Sequence, residues 1–158
     1  MTTVPPPKPR VFVDADVLFA GAAAPSEHGA SLVVLRMAEI TLIDAVTSEQ
    51  VIIEAERNLG EKLPAALPAF RMIVSRCLRV KPNPQRTDLM SHVGLADAKD
   101  LPILVAALQE SCPWLVTFNV RHYQPGIPSI TVLRPGEFVL RVRHLLAKGS
   151  GQAYRYRR

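Results

Sequence analysis

The sequence predicts an α/β fold: a three-layer α/β/α sandwich around a central parallel sheet of about five strands. Three observations predict it. Short apolar runs without alternation, such as Val11-Phe12-Val13, read as strands buried on both faces. These runs alternate with helical stretches, which implies crossover connections and parallel strands. The chain has 158 residues, 48% of them hydrophobic. That is enough for one full core and too little for two ordinary domains.

The elements follow in order. Residues 1–9 are Pro-rich and are predicted to be a disordered N-terminus. Arg10–Asp14 reads as a buried strand. Ser26 can cap a helix running to about Glu39, and Ile40–Val46 is a second strand. Thr47 and Gln50 form a candidate capping box for a helix that stops at Gly60. A helix follows over Ala65–Cys77, interrupted early by Pro68. Leu78–Val80 is a short strand ended by Pro82 and Pro84, and Asp88–His92 is one helical turn. Asp97 or Asp100 caps a helix through Glu110. Trp114–Thr117 and Ser129–Leu133 complete the strands. Pro135 starts the last helix, to about Ala147, and Gly149-Ser150-Gly151 releases a tail. The expected organisation is therefore one domain over residues 10–147 and a basic flexible tail over 148–158. No internal repeat is visible. Ala15 and Asp16 stand after the first strand where a Gly-rich phosphate loop would be, which disfavours a dinucleotide fold or P-loop enzyme.

Composition removes further classes. The longest apolar stretches fall far short of the ~20 residues a membrane span needs. The N-terminal residues lack the apolar core of a signal peptide, so a cytoplasmic location is expected. Cys77 and Cys112 lie in no CxxC or Cys/His spacing, which suits reduced thiols and disfavours zinc. The net charge of +5 is unevenly spread. Arg141, Arg143, Lys148, Arg155, Arg157 and Arg158 carry six positive charges beyond residue 140, with no acidic residue among them, leaving residues 1–140 at −1. A basic end on a mildly acidic body suits an anionic partner such as nucleic acid, or simply a solvated tail.

Acidic residues stand at the ends of predicted core elements. Asp14 closes the first strand, and Asp16 follows at i+2, where both can reach a cation or Asp16 can cap the short helix Val17–Ala20. Asp97 and Asp100, at i and i+3, precede the helix beginning Leu101-Pro102. One aspartate suffices as an N-cap, and the second is in excess. Thr117 and Asn119 end a later strand, with Arg121 and His122 close behind. Strand ends of an α/β sheet converge on one crevice. Carboxylates sharing it repel one another; protonation or a bound cation compensates, and a hard divalent cation with oxygen ligands also yields a chemistry. Glu54 and Glu56 are harder to place. The stripe Val51, Ile52, Ala55 and Leu59 lies nearer Glu56, and periodicity makes both solvent-facing. His122 has no evident Ser or Cys partner for a nucleophilic triad, and His92 and His144 carry no visible role.

Four segments in order resemble the motifs of the PIN domain, most closely in bacterial proteins of the VapC-like toxin type. They are Val11–Leu18, Val51–Leu59, Asp97–Ala107 and Leu115–Tyr123, and the likeness covers roughly residues 10–140. The resemblance implies a metal-dependent ribonuclease. Asp14, Glu54 and Asp100 match the family's acidic triad, and Asp97 matches a frequent extra carboxylate. Asn119 stands where the family has a fourth Asp or Asn, after the Thr117 of its Thr-x-Asp/Asn motif. The match selects Glu54 over Glu56, and Asp16 stands where many members have Asn. Mg²⁺ or Mn²⁺ would then be held by Asp14, Asp100, Glu54 and Asp97, with Asn119 completing the catalytic set. Thr117, Arg121 and Asp16 would contact substrate. Tyr154 and Tyr156 would stack on bases or bind an inhibitory protein. The resemblance also implies RNA as substrate, an antitoxin partner, a homodimer and no membrane association. Two rivals stand beside it. One is a module of the same fold that binds RNA or protein without cutting. The other is an aspartyl-phosphate phosphatase, from the hydrophobic-Asp-x-Asp pattern at Asp14 and Asp16, although its later acidic motif falls in the wrong order here.

Overall fold

The computed structural model describes residues 8–23 and 29–155, with side chains through Lys148. The expected disorder of residues 1–7, the Ser26 cap and the roles suggested for Tyr154, Tyr156 and the final arginines lie outside those residues and side chains.

Arg10–Val13 forms β1, the middle strand of a five-stranded parallel sheet ordered β3-β2-β1-β4-β5. Its partners are β2 (Asp44–Ser48) and β4 (Trp114–Val116), with β3 (Arg79–Lys81) and β5 (Thr131–Leu133) at the edges. Phe12 pairs with Val46 on one side and Leu115 on the other, and all three are fully buried. A strand covered on both faces has no use for alternation, which is why β1 reads as a continuous apolar run.

The helices are α1 (Ala15–Ala23), α2 (Gly29–Glu39), α3 (Glu49–Lys62), α4 (Leu67–Cys77), α5 (Arg86–Met90), α6 (Leu101–Gln109) and α7 (Pro135–Arg155). The chain steps from β1 to β2 to β3 and then returns across β1 to β4. Right-handed crossovers therefore place the helices of the two directions on opposite faces. α1, α2, α3, α4 and α7 pack on one another as one layer, while α6, with α5 beside it, lies against β2 and β4. The expected three-layer sandwich with five parallel strands is what forms. Among the described residues no helix is long and apolar enough to cross a membrane.

Several boundaries differ from expectation, each for a local reason. β2 begins at Asp44, not Ile40, because α2 ends in a turn with Thr41 at φ 64°. There Leu42 N–H bonds Met37 O at 2.9 Å, leaving Ile40 exposed. The Thr47–Gln50 capping box does not form. Ser48 is the N-cap of α3, and the Thr47 hydroxyl instead donates to Val13 O at 2.9 Å, tying β2 to β1. Gly60 does not stop α3, which runs to Lys62. The stop is Leu63, which leaves helical geometry at φ −155°, ψ 67° before Pro64, where the helical region is disfavoured. The predicted helix from Ala65 is split into a 3₁₀ turn at Pro64–Ala66 and α4. The single turn expected at Asp88–His92 is α5, two residues earlier, capped reciprocally by Gln85 and Asp88. The last helix continues through Gly149-Ser150-Gly151 to Arg155 instead of ending near Ala147. Glycine weakens a helix interior by about 1 kcal/mol without forbidding it.

α1 and α2 approach closely at Gly21. A Cβ on Gly21 would lie 2.5 Å from Leu35 Cδ1, and Leu35 is itself buried. Gly21→Val is therefore expected to cost about 1–3 kcal/mol by overpacking. Urea unfolding checks this, and an unchanged midpoint would contradict it.

Candidate active site

The pairing of Val13 with Val116 puts the next residues, Asp14 and Thr117, side by side at the carboxyl ends of β1 and β4. The chain leaves β1 toward β2, and β4 lies on its other side, so this is the sheet's topological switch point. Asp14 is only 6% exposed. Its backbone N–H still bonds Val116 O at 3.1 Å. Its carboxylate accepts three hydrogen bonds: Oδ1 accepts the Ala15 N–H at 2.7 Å, and Oδ2 accepts the hydroxyls of Thr117 at 2.9 Å and Tyr123 at 2.6 Å, which leaves one position on Oδ1 open. Three donors compensate the burial of this group. Burial and then the Asp14 charge push the Tyr123 phenol far above its ordinary pKa, so it stays a neutral donor.

Asp16 sits in the first turn of α1. Its Oδ2 accepts the Phe118 N–H at 2.9 Å and the Asn119 side-chain amide at 3.2 Å, and lies 3.2 Å from the Thr117 hydroxyl. Thr117 has one proton for two carboxylates, and its closer contact is Asp14. Its oxygen also accepts the Asn119 N–H at 3.1 Å. Asp16 Oδ1 is buried without a partner. Burial, then the neighbouring Asp14, push the Asp16 pKa from 3.8 up to about 6. One expectation is corrected here. Thr117 is fully buried and bridges Asp14 and Asp16, so it positions carboxylates and has no surface for substrate. Asp16 and Asn119 are brought together and hold each other.

Asp100 is the N-cap residue of α6, yet its side chain makes no cap hydrogen bond. Its backbone is helical, and the helix start is held by backbone bonds from Asp100 and Leu101 to Asp97 O. The carboxylate is thus free for the site. It is mostly buried, its Oδ2 has no hydrogen-bond partner, and His122 Nδ1 lies 3.2 Å from it. Asp97, Asp100 and His122 bring one ligand atom each within 4.8 Å of one another, the one such group among the described residues. A bond from Asp97 N–H to His122 O at 2.7 Å ties the two loops together.

Glu54 and Glu56, both expected to face solvent, are both half-buried. Glu56 turns toward α4, where Oε1 meets Arg71 Nη2 at 3.2 Å. Glu54 turns toward the crevice. Its pKa is raised by burial first, then by Asp14 and Asp100. Asp100 is raised by burial and then by Asp14. Asp14, Glu54, Asp97 and Asp100 are therefore gathered from β1, α3 and the start of α6. Arg121 is exposed and forms no ion pair among the described residues.

The donor set fits a hard divalent cation. It consists of carboxylate oxygens with one imidazole, the chemistry Mg²⁺ and Mn²⁺ accept. Two buried carboxylate oxygens, on Asp16 and Asp100, have no hydrogen-bond partner, and three carboxyls hold their protons too tightly for isolated acids. A cation satisfies both conditions at once.

Tyr123 is the residue that sequence reasoning left without a site role, and His122, readable there as a phosphate contact or a surface residue, was not read as a ligand. The surviving signal was position alone, since they follow the strand-end motif Thr117–Asn119.

The Asp16 shift makes a testable statement. Its folded pKa lies above the unfolded one, so the folded state holds more protons between pH 3.8 and about 6. Stability is then lost as pH rises through that window, by up to about 3 kcal/mol. In chelator, Asp16→Asn should become progressively more stable than the native protein from pH 4 to pH 7. Melting curves at several pH values check this, and a constant difference contradicts it.

Residues 10–121 match the PIN domain family. Among solved structures the chain is similar to VapC20 of Mycobacterium tuberculosis, a sarcin-ricin loop cleaving toxin. That match has 18% identity, covers 66% of this chain and 86% of that one, and has a TM-score of 0.51. The chain is also similar to VapBC2 from Rickettsia felis bound to a DNA fragment from their promoter. There the identity is 18%, the coverage 78% and 96%, and the TM-score 0.56. Likeness at this identity speaks for the fold. No curated protein shows significant similarity. The family match spans the segments that supply Asp14, Glu54, Asp97, Asp100 and Asn119. The chain belongs to the PIN domain family.

Proposed function

We propose that this protein is an Mg²⁺- or Mn²⁺-dependent endoribonuclease that hydrolyses RNA phosphodiester bonds, and that it is the toxin of a type II toxin–antitoxin pair. The observation that carries the reading is the gathering of four carboxylates from three segments at one end of the sheet, where Glu54 and Asp100 have raised pKa values and the buried Asp100 Oδ2 has no hydrogen bond.

Asp14, Asp100, Glu54 and Asp97 would hold the cation, and His122 stands close enough to Asp97 and Asp100 to join them. When bound, the cation supplies positive charge for a phosphoryl oxygen and lowers the pKa of an attacking water. Tyr123 and Thr117 fix the orientation of Asp14. Asn119, held against Asp16, would orient the water or the phosphate through its side-chain oxygen and backbone. Arg121 and the basic residues of α7 would hold the RNA backbone electrostatically. An antitoxin partner, a homodimeric state and action in the cytoplasm belong to the same proposal. They are supported by membership of the PIN family and by the fold shared with VapC20 and VapBC2.

The phosphatase rival fits less well. Its later acidic motif would have to follow Thr117, whereas Asp97 and Asp100 precede it.

The test is cleavage of a panel of single-stranded and structured RNAs with Mg²⁺, Mn²⁺ or EDTA. The native protein should cut with either metal and not in EDTA. Tyr123→Phe should lose roughly 10- to 100-fold, as residues that orient a ligand do. Asp14→Asn and Asp100→Asn should lose more than that. Equal cutting by all variants would contradict the reading. RNA binding without turnover would favour a binding module.

A further inference from the structure

A catalytic crevice built of carboxylates repels the phosphodiester it must receive. Beside the crevice lies a cavity of about 410 Å³ that answers this difficulty. Glu54 and Asp100 form its wall toward the site, and Arg57 and Lys99 line it as well. Arg57 stands one helical turn after Glu54 on α3, and Lys99 immediately precedes Asp100. Both are exposed, and neither forms an ion pair within 4 Å among the described residues. Each is near enough to Glu54 to counter part of the rise in its pKa, and Lys99 does the same for Asp100. Two unpaired cations thus border two carboxylates across one pocket.

The remaining lining is suited to a nucleotide. Asn83 Oδ1 accepts the Gln50 N–H in the first turn of α3 at 2.7 Å, which leaves its amide NH₂ as a free donor. Ile53 is 61% exposed at the same pocket, an apolar side chain with little packed on it. The volume falls in the range of about 300–1,000 Å³ typical of small-ligand sites, too small for a duplex.

We propose that this pocket binds one nucleotide of single-stranded RNA next to the scissile bond, with Arg57 and Lys99 on its phosphate, Asn83 donating to it and Ile53 against its base. The inference rests on the ribonuclease reading and adds where the strand enters.

The experiment uses the full chain and a fluorescent single-stranded oligoribonucleotide. Affinity is measured against salt concentration in the Asp14→Asn background, and kcat and KM are measured in the otherwise native protein. Replacing Arg57 and Lys99 together by Ala should flatten the slope of log affinity against log salt by about 0.7, the one phosphate they share on a single strand, and each single replacement should flatten it by less. KM should rise with little change in kcat, and Arg57→Lys should restore the slope. Ile53→Ser should weaken binding without changing the slope. Mn²⁺ affinity should not fall in any of these variants. Unchanged slope and KM in variants that still cut RNA would overturn the pocket and leave the ribonuclease standing. Variants that change only Mn²⁺ affinity would mean that the cations merely balance the carboxylates, which also overturns it. A native protein that binds RNA with the predicted slopes but never cuts would keep the pocket and sink the ribonuclease. No RNA binding by the native protein would sink both.

Discussion

The site depends on keeping the Asp14 carboxylate where the sheet is dry. An unpaired ion at such depth costs several kcal/mol, whereas a hydrogen bond to a charged group returns about 1.5–3. Three such bonds reach Asp14, and they come from three places: the start of α1, the end of β4 and the 3₁₀ turn Val120–Tyr123. None of these donors is local in the sequence except Ala15. The carboxylate is therefore secured only when β1 and β4 pair and the loop after β4 closes over them. Folding of the sheet and assembly of the site are one event in this geometry.

Compensating Asp14 leaves the surrounding acids uncompensated. Asp16, Glu54 and Asp100 each have a raised pKa, with burial first and Asp14 second among the causes. The Thr117 hydroxyl illustrates the shortage, since it lies within reach of two carboxylates and has one proton to give. Natural chains accept this kind of local conflict at functional sites. A bound cation would relieve this repulsion. The cations Arg57 and Lys99 at the neighbouring pocket moderate it without abolishing it.

The fold was legible because its signals were local. Apolar runs marked β1 and β4, and prolines and helix starts marked the crossovers. What failed was the placement of ends. Ile40 looked like strand because the left-handed turn at Thr41 leaves no strong sequence mark. Thr47 looked like a cap because its hydroxyl, which serves Val13 O across the sheet, is indistinguishable in sequence from one that serves its own helix. Asp14 and Asp100 were legible as acids in excess at element ends. Glu54 was not, because a helical wheel ranks positions against one stripe. Here two different neighbours, the crevice and Arg71 on α4, claim Glu54 and Glu56. Tyr123 and His122 act across more than twenty residues of chain, and nothing local announces contacts at that distance.

The central claim is that these carboxylates, three of them with pKa values raised by burial and by their neighbours' charge, together form a site for a divalent cation. Calorimetric titration of the metal-free protein with Mn²⁺ near pH 6, in two buffers of different ionisation enthalpy, tests it most directly. Saturable binding with net proton release, diminished in Asp100→Asn, is the predicted result, because cation binding displaces protons from acids whose pKa is raised. Absence of binding, or binding with no proton released, would contradict the account.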